Sequence, residues 1–223
     1  MPASFAPLAA LTPEQRDQLA RYEALLAEFN AKINLISRPS EARVRTEHTL
    51  HSLALAWRAF PPGAQVVDFG TGGGLPAVPL AIRFPQAPFT AVDANGEKVR
   101  AVRAMARRLG LENLTAQKSR AEAWPGTASH AVSRATAPLG TLWRWHRRTF
   151  AAPSEPAPAA TREDAWPPGL LALKGGDLSG EIAALREAFP AAQVQTHALR
   201  PLLGDDFFAE KRIVAVQSEA ARN

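Results

Sequence analysis

Val66-Val67-Asp68-Phe69-Gly70-Thr71-Gly72-Gly73-Gly74-Leu75-Pro76-Ala77 decides how the rest of the chain is read. Val66 to Phe69 is a short buried strand by composition, and glycines follow it at once. Glycines in that place let the backbone turn sharply and let a ligand approach the peptide groups closely. A helix is expected through Leu80 and Ile82. Phe89-Thr90-Ala91-Val92-Asp93 is the next strand, ending in an acid, and Glu97 to Leu109 is a helix closed by Gly110.

Outward from this unit the alternation continues. Strands are expected at Thr115 to Lys118, Ala131 to Ser133, Leu170 to Lys174, Val194 to Ala198 and Ile213 to Gln217. Helices are expected between them at Leu139 to Phe150 and Leu178 to Phe189. Such alternation predicts an α/β fold, a doubly wound and mostly parallel sheet covered on both faces. Before the first strand, Thr12-Pro13-Glu14-Gln15 reads as a capped helix start, with Leu19, Tyr22, Leu26, Phe29 and Ile33 at helical spacing. A second helix is expected from near Ser40, carrying Val44, His48, Leu53 and Trp57. Residues 1–62 thus read as an N-terminal helical extension and 63–223 as the ligand-binding domain. Ala151 to Pro168, with five prolines and no apolar period, reads as a loop inside that domain.

Composition narrows the classes. The 223 residues are 46% hydrophobic, enough for a sizeable core, and contain no cysteine. Disulfides, thiolate metal sites and a cysteine nucleophile are therefore excluded. The first ten residues show neither a basic region nor a long apolar core, and no run of about 18 apolar residues occurs. A cytoplasmic, membrane-free protein is expected, with monomer the default. Lys plus Arg exceed Asp plus Glu by 26 to 21, a modest excess compatible with a polyanionic partner. His130, His146 and His197 have no mutual spacing that suggests a metal, and no metal is expected.

Two ligand classes fit the glycine loop. Gly72-x-Gly74-x-x-Ala77 satisfies the loose dinucleotide pattern, and Asp93 falls about 20 residues on, where an acid would hold ribose hydroxyls. Spacing leaves a nicotinamide cofactor and S-adenosylmethionine both open. Charge favours the second. Asp68, at the end of the first strand, gains little beside a pyrophosphate, whereas S-adenosylmethionine brings a sulfonium and an ammonium group. Asp93 also has a plainer reading as a helix cap with Asn95.

Beyond the loop, several blocks resemble one known family. Phe29-Asn30-x-x-Ile33-Asn34-Leu35, Asp68 through Ile82, Ser119-Arg120-Ala121-Glu122, Ser133-Arg134-Ala135 and Ala172-Leu173-Lys174-Gly175 occur in the order found in the glucose-inhibited division protein B family. Glu210-Lys211-Arg212-Ile213-Val214 is similar to its closing strand. The family comprises guanine-N7 methyltransferases of bacterial small-subunit (16S) ribosomal RNA. The resemblance implies a seven-stranded Rossmann-like sheet whose last strand is antiparallel, S-adenosylmethionine as cofactor, and ribosomal RNA or the small subunit as partner. It implies that Gly70, Leu75, Ala121, Glu122 and Arg134 contact the cofactor or border its pocket, beside Asp68, Gly72, Gly74 and Asp93 read above. One departure stands out: His51 occupies the place of the family's aspartate in the segment His48 to Leu53.

Guanine N7 has an exposed lone pair in neutral guanine, so no general base is expected. Arg134 is the candidate catalytic residue, orienting substrate or cofactor. Lys98 and Arg100, with Arg103, Arg107 and Arg108, form a basic helix, and Arg144, His146, Arg147 and Arg148 form another cluster. Lys98, Arg100, Lys174 and Arg212 are the candidate RNA contacts; a solvated helix face or strand end is the plainer alternative. A small-molecule methyltransferase, or a nicotinamide-dependent oxidoreductase, is the alternative function.

Overall fold

The structure, a computed structural model, describes residues 6–37, 42–134, 136–153 and 164–218. Seven strands form one sheet: β1 (Val66–Phe69), β2 (Phe89–Asp93), β3 (Leu114–Lys118), β4 (His130–Arg134), β5 (Gly169–Gly175), β6 (Ala192–Ala198) and β7 (Lys211–Ser218). Their order is β3-β2-β1-β4-β5-β7-β6. The five strands from β3 to β5 pair in parallel, while β7 runs antiparallel to both β5 and β6. This is the architecture the alternation predicts. All seven strand positions agree, and boundaries move by two residues at most.

Helices cover both faces. On one lie α1 (Pro13–Asn30), a run over residues 45–57, α3 (Ala77–Arg83) and α4 (Gly96–Leu109); on the other lie α5 (Leu139–Thr149) and α6 (Ser179–Ala188). The central strands β1, β4 and β5 are nearly apolar because they are buried on both sides, while the edge strands β3 and β6 carry exposed polar residues. Val66 packs with the first layer and Val67 and Phe69 with the second, as a period of two requires. The capping box at Thr12 is formed, with Gln15 N donating to Thr12 Oγ1 and Thr12 N to Gln15 Oε1. Gly110 closes α4 at φ 68°, the left-handed position that glycine tolerates best.

The N-terminal helices share the core of the sheet. Leu19, Tyr22 and Leu26 of α1 belong to the same buried cluster as Leu80, Val102 and Met105. The expected start of the second helix at Ser40 lies outside the described residues, as does most of the Pro/Ala-rich stretch. From Arg45 the backbone is a π-helical turn (Arg45–Leu50), then α2 (His51–Leu53), then a 3₁₀ turn (Ala54–Trp57). A single regular helix is therefore not what forms. The His51 N–H bonds back to His48 O, and the Glu47 carbonyl in the π-helical turn accepts from Arg134. Two short elements without sequence signal, α7 (Arg200–Leu203) and the turn Asp206–Phe208, lead into β7.

Candidate functional site

Strand order reverses between β1 and β4, and their carboxyl ends open the crevice where α/β sheets bind ligands. A cavity of about 550 Å³ lies there. The size falls within the roughly 300–1,000 Å³ usual for small-molecule sites.

The glycine loop is its floor. Gly70 and Thr71 donate their N–H groups to Val92 O at 2.8 and 3.0 Å, tying the loop to β2. Gly70, Gly72 and Gly74 have φ of 74°, 55° and 90°, a region that residues with a Cβ rarely adopt. At Gly70 a Cβ would lie 2.3 Å from Thr136, and at Gly74 it would lie 2.5 Å from Val78. At Gly72, by contrast, an added Cβ would meet nothing closer than 3.9 Å, so its Cα faces open space while its N–H is held by Asp93. The space beside Gly72 is open at the cavity, whereas Gly70 and Gly74 also pack closely against the protein itself.

Asp93 joins the second strand to the loop. Its Oδ2 accepts from Gly72 N at 3.0 Å and its Oδ1 from Asn95 N at 2.8 Å. The cap of α4 is Asn95, whose Oδ1 accepts from Glu97 N and Lys98 N. Asp93 thus lines the cavity with lone pairs left for hydroxyl donors.

Asp68 is placed differently. It is fully buried beneath the loop and does not line the cavity. Its Oδ2 accepts from Ala77 N at 3.2 Å, meeting an orphan amide at the start of α3, while Oδ1 has no hydrogen-bond partner among the described residues. Burial pushes this carboxyl up to about 7, against smaller downward pulls from Thr71, the Ala77 amide and Arg134.

Of the remaining sequence-derived candidates, Leu75, Ala121, Glu122, Arg134 and Lys98 line the cavity. Gly74 does not. Arg100 is exposed and pairs weakly with Glu97 at 3.8 Å. Lys174 points its Nζ at Ala137 O and Glu181, at 2.7 and 2.9 Å, and so holds the β4–α5 connection. Arg212 sits opposite Lys174 in the β5–β7 register, half-buried and outside the cavity. The α5 cluster divides: His146 is buried, Arg148 donates to Trp124 O, and Arg144 and Arg147 lie over the Phe189 ring. Most of α5's charge therefore packs against protein.

Arg134 gathers the site's polar groups. Its Nη1 donates to Glu47 O at 3.1 Å and to His48 Nδ1 at 2.7 Å. Tyr22, whose hydroxyl donates to Gly73 O at 2.9 Å, and Asp68 both feel its charge. His51 is buried with its ring edge-on to Phe207 and Phe208; burial first, then Arg134 and Lys211, hold it down to about 3. A neutral imidazole thus stands where the resembling family has a carboxylate.

Lining residues outside the candidate set include Leu35, Ser119, Thr136 and Trp145. For Leu35 a signal existed in Asn30, whose Oδ1 accepts from both Leu35 N and Ile36 N at 2.8 Å and folds that segment over the loop. Thr136 and Trp145 carry no local signal, since only the return of β4 beside β1 brings them in. Among the described residues no group of three or more His, Asp or Glu could hold a metal.

Residues 15–155 match the family model described as rRNA small subunit methyltransferase G, GidB. The chain belongs to this family. It is 55% identical over 216 residues to "Ribosomal RNA small subunit methyltransferase G" of Salinibacter ruber, covering 96% of this chain and 98% of that one. It is 44% identical to the protein of the same name from Chlorobium luteolum, covering 92% and 82%. Among solved structures, a SAM dependent methyltransferase from Aquifex aeolicus aligns with TM-score 0.53 at 15% identity, over 81% of this chain and 98% of that one. Magnesium protoporphyrin IX methyltransferase from Synechocystis, with bound SAM, aligns with TM-score 0.54 at 12% identity, over 88% and 97%. At such identity the structures share the fold alone.

As a member of the GidB family the chain is an S-adenosylmethionine-dependent methyltransferase, and the oxidoreductase alternative is set aside. The residues present fit that cofactor. A ribose suits the Asp93 carboxylate, and Asp93 and Glu122 give the cavity negative charge against the donor's two positive groups.

Proposed function

We propose that the chain transfers a methyl group from S-adenosylmethionine to N7 of a guanine in small-subunit ribosomal RNA. The observation that carries this reading is a single cavity bordered by the glycine loop, by Asp93 and by Arg134, in a chain of the GidB family. Residues 63–223 act as the donor-binding domain and 1–62 as an extension packed on it. The protein works as a monomer in the cytoplasm, and no helix among the described residues is long and apolar enough to cross a membrane.

When bound, the cofactor supplies a methyl group on positively charged sulfur. Asp93 receives the ribose hydroxyls, Gly70 and Gly72 offer backbone, and Ala121 and Glu122 border the adenine. The guanidinium of Arg134 orients the acceptor guanine at the opposite wall. Neutral N7 needs no proton removed, so the protein's task is alignment, which can lower a barrier by roughly 7–11 kcal/mol in favourable intramolecular cases. Lys98, Arg100 and Arg212 would meet the RNA backbone; Lys174, paired with Glu181, serves the fold.

The test is incubation with labelled S-adenosylmethionine and small-subunit particles lacking the modification, followed by mass spectrometry of digested RNA. We expect a gain of 7-methylguanosine that is lost in Arg134→Ala and Gly70→Asp. Tight donor binding without methylation of particles or free ribosomal RNA would overturn the acceptor assignment and point to a small molecule.

A further inference from the structure

We infer that His48 is a positioning residue of the methyl transfer: as a neutral acceptor it fixes Arg134 in the orientation the acceptor guanine needs. The inference rests on the reading that Arg134 orients the guanine.

The argument starts from the guanidinium. Arginine carries five N–H donors in a rigid fork, on a stem with about 2 kcal/mol of rotamer entropy. Two of those donors, both on Nη1, are committed to Glu47 O and His48 Nδ1. The others have no hydrogen-bond partner among the described residues, and Arg134 lines the cavity. A partly buried cation with one end anchored and three donors unpaired among the described residues is a prepared ligand-binding group, not a packing residue. A guanine carbonyl oxygen, an acceptor only, is the chemistry such a fork recognises.

Two anchors on one nitrogen do more than one. The Glu47 carbonyl, within the π-helical turn, takes one hydrogen of Nη1. His48, one residue on, places Nδ1 on the second hydrogen of the same amino group. Because Nη1 can only donate, Nδ1 must be the unprotonated nitrogen, so the ring is neutral with its proton on Nε2. The surroundings enforce this state. His48 is largely buried, and Arg134 on β4 and His51 on the next turn face it; burial and the Arg134 charge hold it down to about 4. A protonated His48 would put two donors nose to nose and release the fork.

The test uses the full chain, three single variants and one double variant. In His48→Asn the side-chain carbonyl can replace Nδ1; in His48→Leu nothing can. Each is checked for an unchanged melting transition. With small-subunit particles as acceptor, we expect His48→Leu to lose about 10- to 100-fold in turnover, as an ångström-scale misplacement does. Asn should restore turnover to within about threefold, and S-adenosylhomocysteine affinity should stay unchanged in both. Arg134→Gln combined with His48→Leu should be no slower than Arg134→Gln alone, because the two act as one unit. Nitrogen-15 spectra of labelled histidine supply a readout independent of turnover: His48 should show the Nε2–H tautomer, and Arg134→Gln should move its titration upward. Equal losses in the Asn and Leu variants, multiplicative losses in the double variant, or the opposite tautomer would each overturn the inference. If Arg134→Gln alone leaves turnover intact, the Arg134 reading itself has failed, a distinct result that removes the basis for His48.

Discussion

Replacing Gly70 by alanine tests whether the glycine loop is built by close packing against the β4–α5 connection. Gly70 sits at φ 74°, and an added Cβ would lie 2.3 Å from Thr136 Cγ2, 2.5 Å from its Oγ1 and 3.0 Å from its Cβ. The left-handed backbone costs an alanine about 1–2 kcal/mol. Thr136 must also swing away, losing the contact of its Oγ1 with Phe69 O at 3.1 Å. That loss is worth about 1 kcal/mol more. The expected destabilisation of about 2–3 kcal/mol should lower the melting temperature by roughly 5–10 °C in a chain of this size. Thr136→Ala removes Cγ2 and Oγ1 and leaves only the 3.0 Å contact. Urea unfolding of both single variants and the double variant should therefore show a coupling of about 1 kcal/mol, the double being more stable than the sum predicts. Calorimetric titration with S-adenosylhomocysteine should show weaker binding in Gly70→Ala, partly recovered in the double. If the two costs simply add, or if Gly70→Ala melts like the parent, the steric reasoning is refuted.

The buried Asp68 predicts a pH effect of defined sign. Its carboxyl is raised from 3.8 to about 7 in the fold, so the ionised form is disfavoured there, and the parent is penalised increasingly from pH 4 to 7. Asp68→Asn should therefore gain stability over the parent across that window, approaching about 4 kcal/mol at pH 8 as an upper bound, measured by urea titration at several pH values. A constant difference would show that Asp68 does not titrate in the fold. The buried histidines act in the opposite direction: His51 and His146 are held down to about 3 and His130 to about 4, mainly by burial. Their contribution is complete above the unfolded value near 6.5 and lost as pH falls, so His130→Gln should flatten the acid limb of stability. Lys174→Met should cost about 1–3 kcal/mol by stripping Glu181 of its partner. It should leave the salt dependence of RNA binding unaltered, whereas Lys98→Ala should reduce that slope by about one; a reduced slope in Lys174→Met would return Lys174 to the RNA surface.

The sequence by itself determined the fold class, because strand-glycine-helix alternation and apolar central strands leave few arrangements. It also placed Asp93 and the loop, whose ligand geometry is local: an acid at a strand end and peptides without side chains. What it could not determine is how each loop residue is used. Gly70 and Gly72 look alike in the sequence, yet one meets Thr136 and the other meets open space, because only the return of β4 beside β1 creates the difference. Asp68 reads as a ligand-facing acid, but strand periodicity turns it beneath the loop toward α3 and Tyr22. Lys174 reads as a free strand-end cation, and the neighbouring helix α6 supplies the Glu181 that occupies it. His48 reads only as one residue of the expected second helix. Its bond to Arg134, 86 residues away, exists only because a π-helical turn and the end of β4 converge on the same cavity wall.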